Sequence, residues 1–154
     1  MLDIDLVALD RDNVRAVMPV METAFAAEFG EAWTLEQCQS TLLIPGAKIV
    51  AAFQNNDAVG FAFWLTVVEN SELLLLAVAP DKRGQGLGKL LLDEWIIQSI
   101  NAKVKNLFLE VRETNVALEF YKLSGFEAIG KRSNYYKCPD GNNLAALTMK
   151  KVIG

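Results

Sequence analysis

Gly84, Gly86 and Gly88 fall within five positions of "DKRGQGLGKLLLDEWI" (residues 81–96), which then turns apolar. A glycine loop opening a helix exposes backbone N–H groups to an anion, and the helix end adds partial positive charge. Two phosphate loops fail on spacing: Arg83 replaces the first glycine of a Walker A loop and Leu90 its hydroxyl, and Lys89 stands where a Rossmann fingerprint needs its third glycine. Without a ligand the stretch reads as a tight strand-to-helix turn. A second chemical group is Glu110 in "NLFLEV", where alternation puts Phe108 and Glu110 on one face and Leu107, Leu109 and Val111 on the other. A carboxylate in a buried strand is costly unless paired, and on the residues alone it reads as a salt bridge with Arg112. There is no histidine. That removes Ser–His and Cys–His nucleophile pairs and histidine metal sites, and leaves a carboxylate, tyrosine, lysine, water or terminal amine as any general base.

The elements around these groups alternate. Residues 12–29 read as a helix with Asp12 as cap and Pro19 as a kink or boundary, and a second helix starts at Thr34, which has capping-box spacing to Gln37. "KIVAAF" and "AVGFAFWLTVV" flank "QNND" as a hairpin. "SELLLLAVAP" is an apolar run ended by Pro80, the mark of a central buried strand. From Gly88, Leu91, Leu92, Trp95, Ile96 and Ile100 form one helical stripe. Residues 105–113 give a further buried strand, then a short helix opens at Thr114 or Asn115 and closes at Gly125. "EAIGKRSNYY" and "NLAALTMKKV" read as two final strands joined by "PDGNN". The order implies an α/β (α+β) fold, a mixed sheet with helices on its faces.

With 154 residues, 52% of them hydrophobic, the chain has the size of one domain, residues 1–154, with a substantial core. The net charge of −4 argues against a nucleic-acid binder. No apolar stretch is long enough to span a bilayer, and the first residues carry acids where a signal peptide needs bases, so no membrane partner and a cytoplasmic location are expected. Cys38 and Cys138 read as two free thiols, with a disulfide or catalytic thiol as the alternative.

"LLAVAPDKRGQGLGKLLL" resembles the acetyl-CoA loop of the GNAT N-acetyltransferase superfamily, (R/Q)-x-x-G-x-(G/A) after a strand ending in an apolar-Val-x-Pro type sequence; Arg83, Gly86 and Gly88 fill it. The resemblance runs through "LFLEVRETNVALEFYKLSGFEAIGKRSNYY", is good over about residues 71–150, and is similar to the RimI type, which acetylates protein N-termini. The alanine of that pattern sits one place off, at Ala117. The resemblance implies a GNAT fold: one mixed, mostly antiparallel twisted sheet with splayed central strands and helices on both faces. It implies acetyl-CoA as co-substrate and no metal.

By the same resemblance, the CoA pyrophosphate lies on the N–H groups of Arg83, Gly84, Gln85, Gly86, Leu87 and Gly88, with Lys82, Arg83 and Lys89 near the outer phosphates. Ala77, Val78 and Ala79 lie beside the thioester, with the Val78 N–H on the acetyl carbonyl. Glu110 is the general base, direct or through water, Tyr121 the acid at the sulfur, and Asn115 both a cap and a pantetheine contact. Tyr135 and Tyr136 belong to peptide recognition, and alternation puts their rings on opposite faces. Trp33 resembles the tryptophan of a substrate-side "PWS", with Ala32 in place of the proline; a substrate contact and a hydrophobic staple or core residue are equal readings. The implied acceptor is a protein N-terminal amine. A small amine such as a polyamine or an aminoglycoside, and a CoA-binding module without turnover, are the alternatives. A monomer or weak homodimer is expected.

Overall fold

The computed structural model describes residues 3–26, 29–137, 140–141 and 143–154. Cys138 lies outside them, so only Cys38, a buried free thiol, is described. Seven strands form one sheet in the order β1-β2-β3-β4-β5-β7-β6. In chain order these are β1 (Asp5–Leu9), β2 (Ala47–Gln54), β3 (Asp57–Val67), β4 (Asn70–Val78), β5 (Asn106–Arg112), β6 (Glu127–Lys137) and β7 (Asn143–Val152). The helices are α1 (Met18–Ala24), α2 (Leu35–Thr41), α3 (Leu87–Asn101) and α4 (Ala117–Leu123). Among the described residues only the β4–β5 pair is parallel. No helix among the described residues is long and apolar enough to cross a membrane.

Two apolar layers hold the sheet. On one face α3 buries Leu87, Leu91, Leu92 and Trp95 against Val50, Ala62, Leu73, Leu107 and Leu109, and α4 adds Tyr121. On the other, Val14, Val17, Val20, Met21 and Cys38 pack on Ile49, Ala51, Phe61, Phe63, Leu75 and Ala77. Ile100, expected in the α3 stripe, is 51% exposed. Ser99 takes the buried position instead. Gly60 allows the tight join between sheet and α3: a Cβ there would lie 2.8 Å from the Ala77 carbonyl oxygen and 3.0 Å from Leu91 Cδ1. Buried Ser71 accepts hydrogen bonds from Trp95 Nε1 at 2.9 Å and Thr66 Oγ1 at 3.0 Å, tying α3 to β3 and β4.

The N-terminal segment differs from the expectation. β1 was not foreseen; its exposed and half-buried pattern gives a weak apolar signal, and it pairs with β2 as an edge strand. The expected helix over 12–29 is a 3-10 turn (Val14–Val17) followed by the seven-residue α1, which ends where Phe25 turns extended. Asp12 does not cap it: Asp10 accepts from the Asp12 and Asn13 backbone N–H groups, and Asn13 accepts from that of Asp10. Pro19 stands in the first turn of α1, where its missing N–H costs nothing. The Thr34–Gln37 capping box forms as expected, with bonds of 3.1 and 2.7 Å. The expected "QNND" hairpin turns at Asn55 and Asn56, both with positive φ.

The β3–β4 turn carries strain. Val68, 88% exposed, has φ 55°, a conformation that costs an L-residue about 1–2 kcal/mol. It is held because the next carbonyl, of Glu69, accepts from the Lys105 and Asn106 N–H groups at 2.7 and 3.1 Å. Val68→Gly removes the strain at a smaller entropic cost. A gain of about 0.5–1 kcal/mol is expected, read as a rise in Tm of roughly 2–3 °C; an unchanged or lower Tm would show that the turn is relaxed.

Candidate active site

The site begins where β4 leaves β5. Their parallel pairing runs from Asn70–Asn106 to Leu73–Leu109, yet β4 continues to Val78 and β5 to Arg112. The cause is local. Against β3, Trp64 pairs with Leu73 and Phe63 with Leu75, so Leu74 is an extra residue that bends the strand. Leu73 faces the α3 layer, Leu74 and Leu75 both face the α1 layer, and Leu76 and Val78 return to the α3 side. Beyond the bulge β4 stays paired with β3, Gly60 opposite Val78, while its other edge is free of β5.

That free edge presents donors in a fixed direction. The Ala79 N–H donates to the Val59 carbonyl at 2.8 Å, so the Val78 N–H, one place back in an alternating strand, points away from β3 into the gap. The glycine loop follows a 3-10 turn at Pro80–Lys82. Gly84 has φ 80° and Gly86 φ 84°, values that favour glycine, with nothing within 4 Å of where a Cβ would stand. No side chain caps α3, and its first intrahelical bond is from the Leu90 N–H to the Gly86 carbonyl at 3.0 Å. The N–H groups of Leu87, Gly88 and Lys89 precede that bond, as at any helix N-terminus. A Cβ on Gly88 would stand 3.9 Å from both Val78 and Phe120, so the bare helix start faces the gap.

Arg83 and Lys89 of the loop are already engaged. Arg83 Nε donates to the Val78 carbonyl at 3.3 Å and its Nη2 to the Ala24 carbonyl at 2.9 Å, bracing the loop to the end of α1. Lys89 pairs with Asp93 at 2.8 Å on the solvent side of α3.

α4 closes the gap from the β5 side. α4 starts at Ala117 with Val116 at its cap position and no side-chain cap, so Asn115 is not the expected cap; its Oδ1 accepts from the Ala117 N–H at 2.8 Å in the turn that leads into the helix, and Gly125, φ 95°, follows its end. Tyr121 is 8% exposed, its ring against Phe120 and Phe126 at centroid distances of 5.3 and 6.1 Å. Burial raises its pKa well above the usual tyrosine range, so the hydroxyl keeps its proton at neutral pH.

The other face of β5 is left half uncovered, because α1 and α2 pack on β2, β3 and β4. Glu110 and Arg112 project there, on the face opposite buried Leu109 and Val111 as the alternation requires. The expected pairing of the two is corrected. Residues two apart on a strand stand side by side along it, and each finds a partner on another element. Arg132 on β6 donates through Nη2 to Glu110 Oε1. Arg112 Nη1 donates to Glu31 Oε1 at 2.7 Å in a mostly buried pair, with the Arg112 guanidinium 3.6 Å from the Phe29 ring centroid. The Arg112 Nε is buried without a partner. Glu72, on the neighbouring strand, has its pKa raised by desolvation and then by the Glu110 charge, with Arg132 opposing.

Tyr135 and Tyr136 border this face, and their expected opposition fails. Four residue steps on β6, Arg132 to Tyr136, span two on β7, Ala146 to Leu144, and Asn134 takes φ 57°. The bulge brings the rings into edge contact, centroids 5.1 Å apart. The Arg132 guanidinium lies 4.2 Å from the Tyr135 ring centroid, and that of Arg112 lies 5.9 Å from that of Tyr136. The Tyr136 pKa is pushed up to about 12, by burial first and then by the charge of Glu31, with Arg112 opposing. Trp33 packs edge-on against Phe63 at 5.2 Å, at the staple position before the Thr34 cap and in the same layer as Cys38.

Two halves therefore meet at the strand gap. Val78, the glycine loop, Gly88 and Phe120 frame one end, with Tyr121 buried behind them in the α3 layer, and Glu110 with the tyrosine pair lies on the open sheet face. Glu31, Arg132, Phe29 and Phe120 belong to the same surroundings and were not singled out in the sequence. Arg132 and Glu31 carry no local signal, since only the sheet register and the α1–α2 connection bring them to β5. A separate cavity of about 200 Å³, lined by Gly46, Lys48, Trp64, Thr66, Gln98, Ser99 and Ala102, brings none of these groups together.

Comparison with known proteins agrees with this geometry. Residues 14–152 match the acetyltransferase (GNAT) domain family. The [ribosomal protein bS18]-alanine N-acetyltransferase of Haemophilus influenzae is 41% identical over 96 residues, covering 62% of this chain and 66% of that protein's length. The enzyme of that name from Haemophilus ducreyi is 33% identical over 141 residues, covering 84% of this chain and 97% of its own. The crystal structure of the ribosomal-protein-S18-alanine N-acetyltransferase from Escherichia coli superposes with a TM-score of 0.89 at 28% identity, covering 98% of this chain and 94% of that one. A bulged β4 that parts from β5 above a glycine loop, within a family match spanning nearly the whole chain, makes this protein a member of the GNAT acetyltransferases.

Proposed function

We propose that the chain transfers an acetyl group from acetyl-CoA to the N-terminal α-amine of a protein, in the manner of ribosomal-protein-alanine acetylation. The observation that carries it is the placing of the free β4 edge, with the Val78 N–H directed into the gap, next to an uncapped α3 and a carboxylate on the open face of β5. The residues fit CoA: glycines with positive φ let backbone N–H groups approach a pyrophosphate, and Gly88 leaves the space between Val78 and Phe120 clear for a pantetheine arm. Bound acetyl-CoA supplies the activated acyl group.

The chain's own groups do the rest. The Val78 N–H is a donor to a carbonyl oxygen that gains negative charge. Glu110 takes a proton from the acceptor ammonium, directly or through a water, because only the neutral amine attacks. An α-amine titrates near 8 and a lysine side chain near 10.4, so a carboxylate base suits the N-terminus better. Tyr121 holds its proton and offers it to the leaving sulfur. Asn115 orients α4 and stands beside the arm. Tyr135, Tyr136 and Trp33 flank the acceptor side. The relatives' printed names support the alanine N-terminus as acceptor.

Turnover of acetyl-CoA should be seen with a short peptide bearing an N-terminal alanine and not with its N-acetylated form carrying an internal lysine. Turnover of both, or of neither, would remove the N-terminal reading. Glu110→Gln should lower the rate by about 10²–10³-fold near pH 6.5 and less near pH 9, where more amine is already neutral, with CoA affinity nearly unchanged. An equal loss at every pH would count against the base role. Tyr121→Phe should slow the reaction by roughly 10²-fold to the same extent from pH 6.5 to 9, because the raised pKa keeps the phenol protonated throughout. A loss confined to low pH would mean that the hydroxyl titrates within that range and has already given up its proton at the alkaline end.

A further inference from the structure

The open face of the sheet contains a charge arrangement that the acetyl transfer itself does not require. Glu72 on β4 stands opposite Phe108 on β5, and Glu110 is two residues further along the same face. Two carboxylates so placed form the kind of site that binds an amine carrying several positive charges. Arg132 intervenes. It reaches from β6, 22 residues away in sequence, and takes Glu110 Oε1, with its guanidinium against the Tyr135 ring at 4.2 Å. A carboxylate has a second oxygen, and Oε2 remains for the N–H of an acceptor. The charged and titratable groups around Glu110 are Glu72 from β4, Arg112 on its own strand, Lys150 from β7 with its Nζ 5.7 Å from the Phe108 ring centroid, Arg132, Tyr135 and Tyr136 from β6, and Glu31 beyond Arg112. Each carboxylate that faces the tyrosine pair thus carries its own guanidinium: Glu31 has Arg112, and Glu110 has Arg132.

We propose that Arg132 is a specificity-determining residue of the acceptor site: by occupying Glu110 it denies the Glu72–Glu110 pair to polycationic amines and restricts the site to a single α-amine. The inference rests on the reading of this face as the acceptor site. Its physical content is electrostatic. A polyamine gains one favourable contact for each uncompensated carboxylate, whereas an α-amine titrating near 8 arrives partly neutral and gains less from added negative charge. With Arg132 present, a second ammonium meets a guanidinium. With it removed, Glu110 loses the guanidinium that pairs with it, and the nearest remaining cation on the Glu72 side is Lys150 over the Phe108 ring.

The test compares the native chain with Arg132→Gln and Arg132→Lys, using spermidine and a lysine-free peptide with an N-terminal alanine. Arg132 is 53% exposed, and retained melting temperatures will show that the variants fold. In low salt, Arg132→Gln should raise the ratio of kcat/KM for spermidine over peptide about tenfold. Near 0.5 M salt most of that gain should vanish, because screening weakens exposed charges beyond roughly 4–5 Å. Arg132→Lys, which keeps the charge, should hold the ratio within about twofold of the native value. Adding Glu72→Gln to Arg132→Gln should take the gain away. Spermidine binding to the CoA complex, measured by calorimetry, provides a readout independent of turnover: tighter binding by Arg132→Gln alone supports the inference even if the native chain fails to acetylate the peptide. An unmoved ratio together with unmoved spermidine affinity in Arg132→Gln overturns it. So does an equal rise in Arg132→Lys, which would assign the effect to geometry instead of charge.

Discussion

One extra residue in β4 governs the architecture of the site. Leu74 has no partner on β3, and from that point β4 and β5 part. A sheet interior with an unpaired backbone edge is ordinarily expensive, because each orphaned N–H or C=O forfeits a hydrogen bond. Here the open edge lies between α3 and α4 on one face and the tyrosine pair on the other. The bulge also reverses which side chains face α3, so that Val78, and not its neighbour Ala77, comes within reach of Gly88. A strand without the bulge would put β4 back against β5 and leave the glycine loop above a closed sheet.

Much of this was legible in the chain because the relevant signals are local. Leu91, Leu92 and Trp95 repeat at helical spacing and bury completely. The Thr34–Gln37 box and the alternation that turns Glu110 away from the core are decided within a few residues. The same locality explains the failures. β1 has no alternation strong enough to announce a strand, and it forms because β2 offers an edge. The Tyr135–Tyr136 opposition fails because a two-residue bulge and the positive φ of Asn134 break the period on which it rested. Arg112 chose Glu31 over Glu110, and Arg132 took Glu110, through contacts 81 and 22 residues apart that no local pattern records.

The two sides of the site are built from different physics. The glycine-loop side is mostly backbone: glycines with positive φ, the N–H groups of an uncapped helix, one donor on a strand edge. Its charged side chains point elsewhere, as Lys89 does toward Asp93. The open face of β5 is mostly side chain, and its charges are paired and stacked on rings. The buried Arg112 guanidinium, with Nε unmatched, is tolerable because Glu31 and the Phe29 face compensate it. Substitutions are therefore felt unequally: backbone conformation limits one side, and charge balance limits the other.

Gly60 has a consequence beyond its own contacts. The height of α3 over the sheet is set where Leu91 meets the backbone of Gly60 and Ala77, with no room for a methyl group between them. The same helix carries the glycine loop at its first turn, seven residues from its anchorage at Trp95 on Ser71. The helix thus works as a lever seated on a hydrogen atom. The alignment of the loop with the strand edge is a tolerance held by a residue that contributes no side chain. A change at this seat would tilt the loop while leaving every group of the site chemically intact.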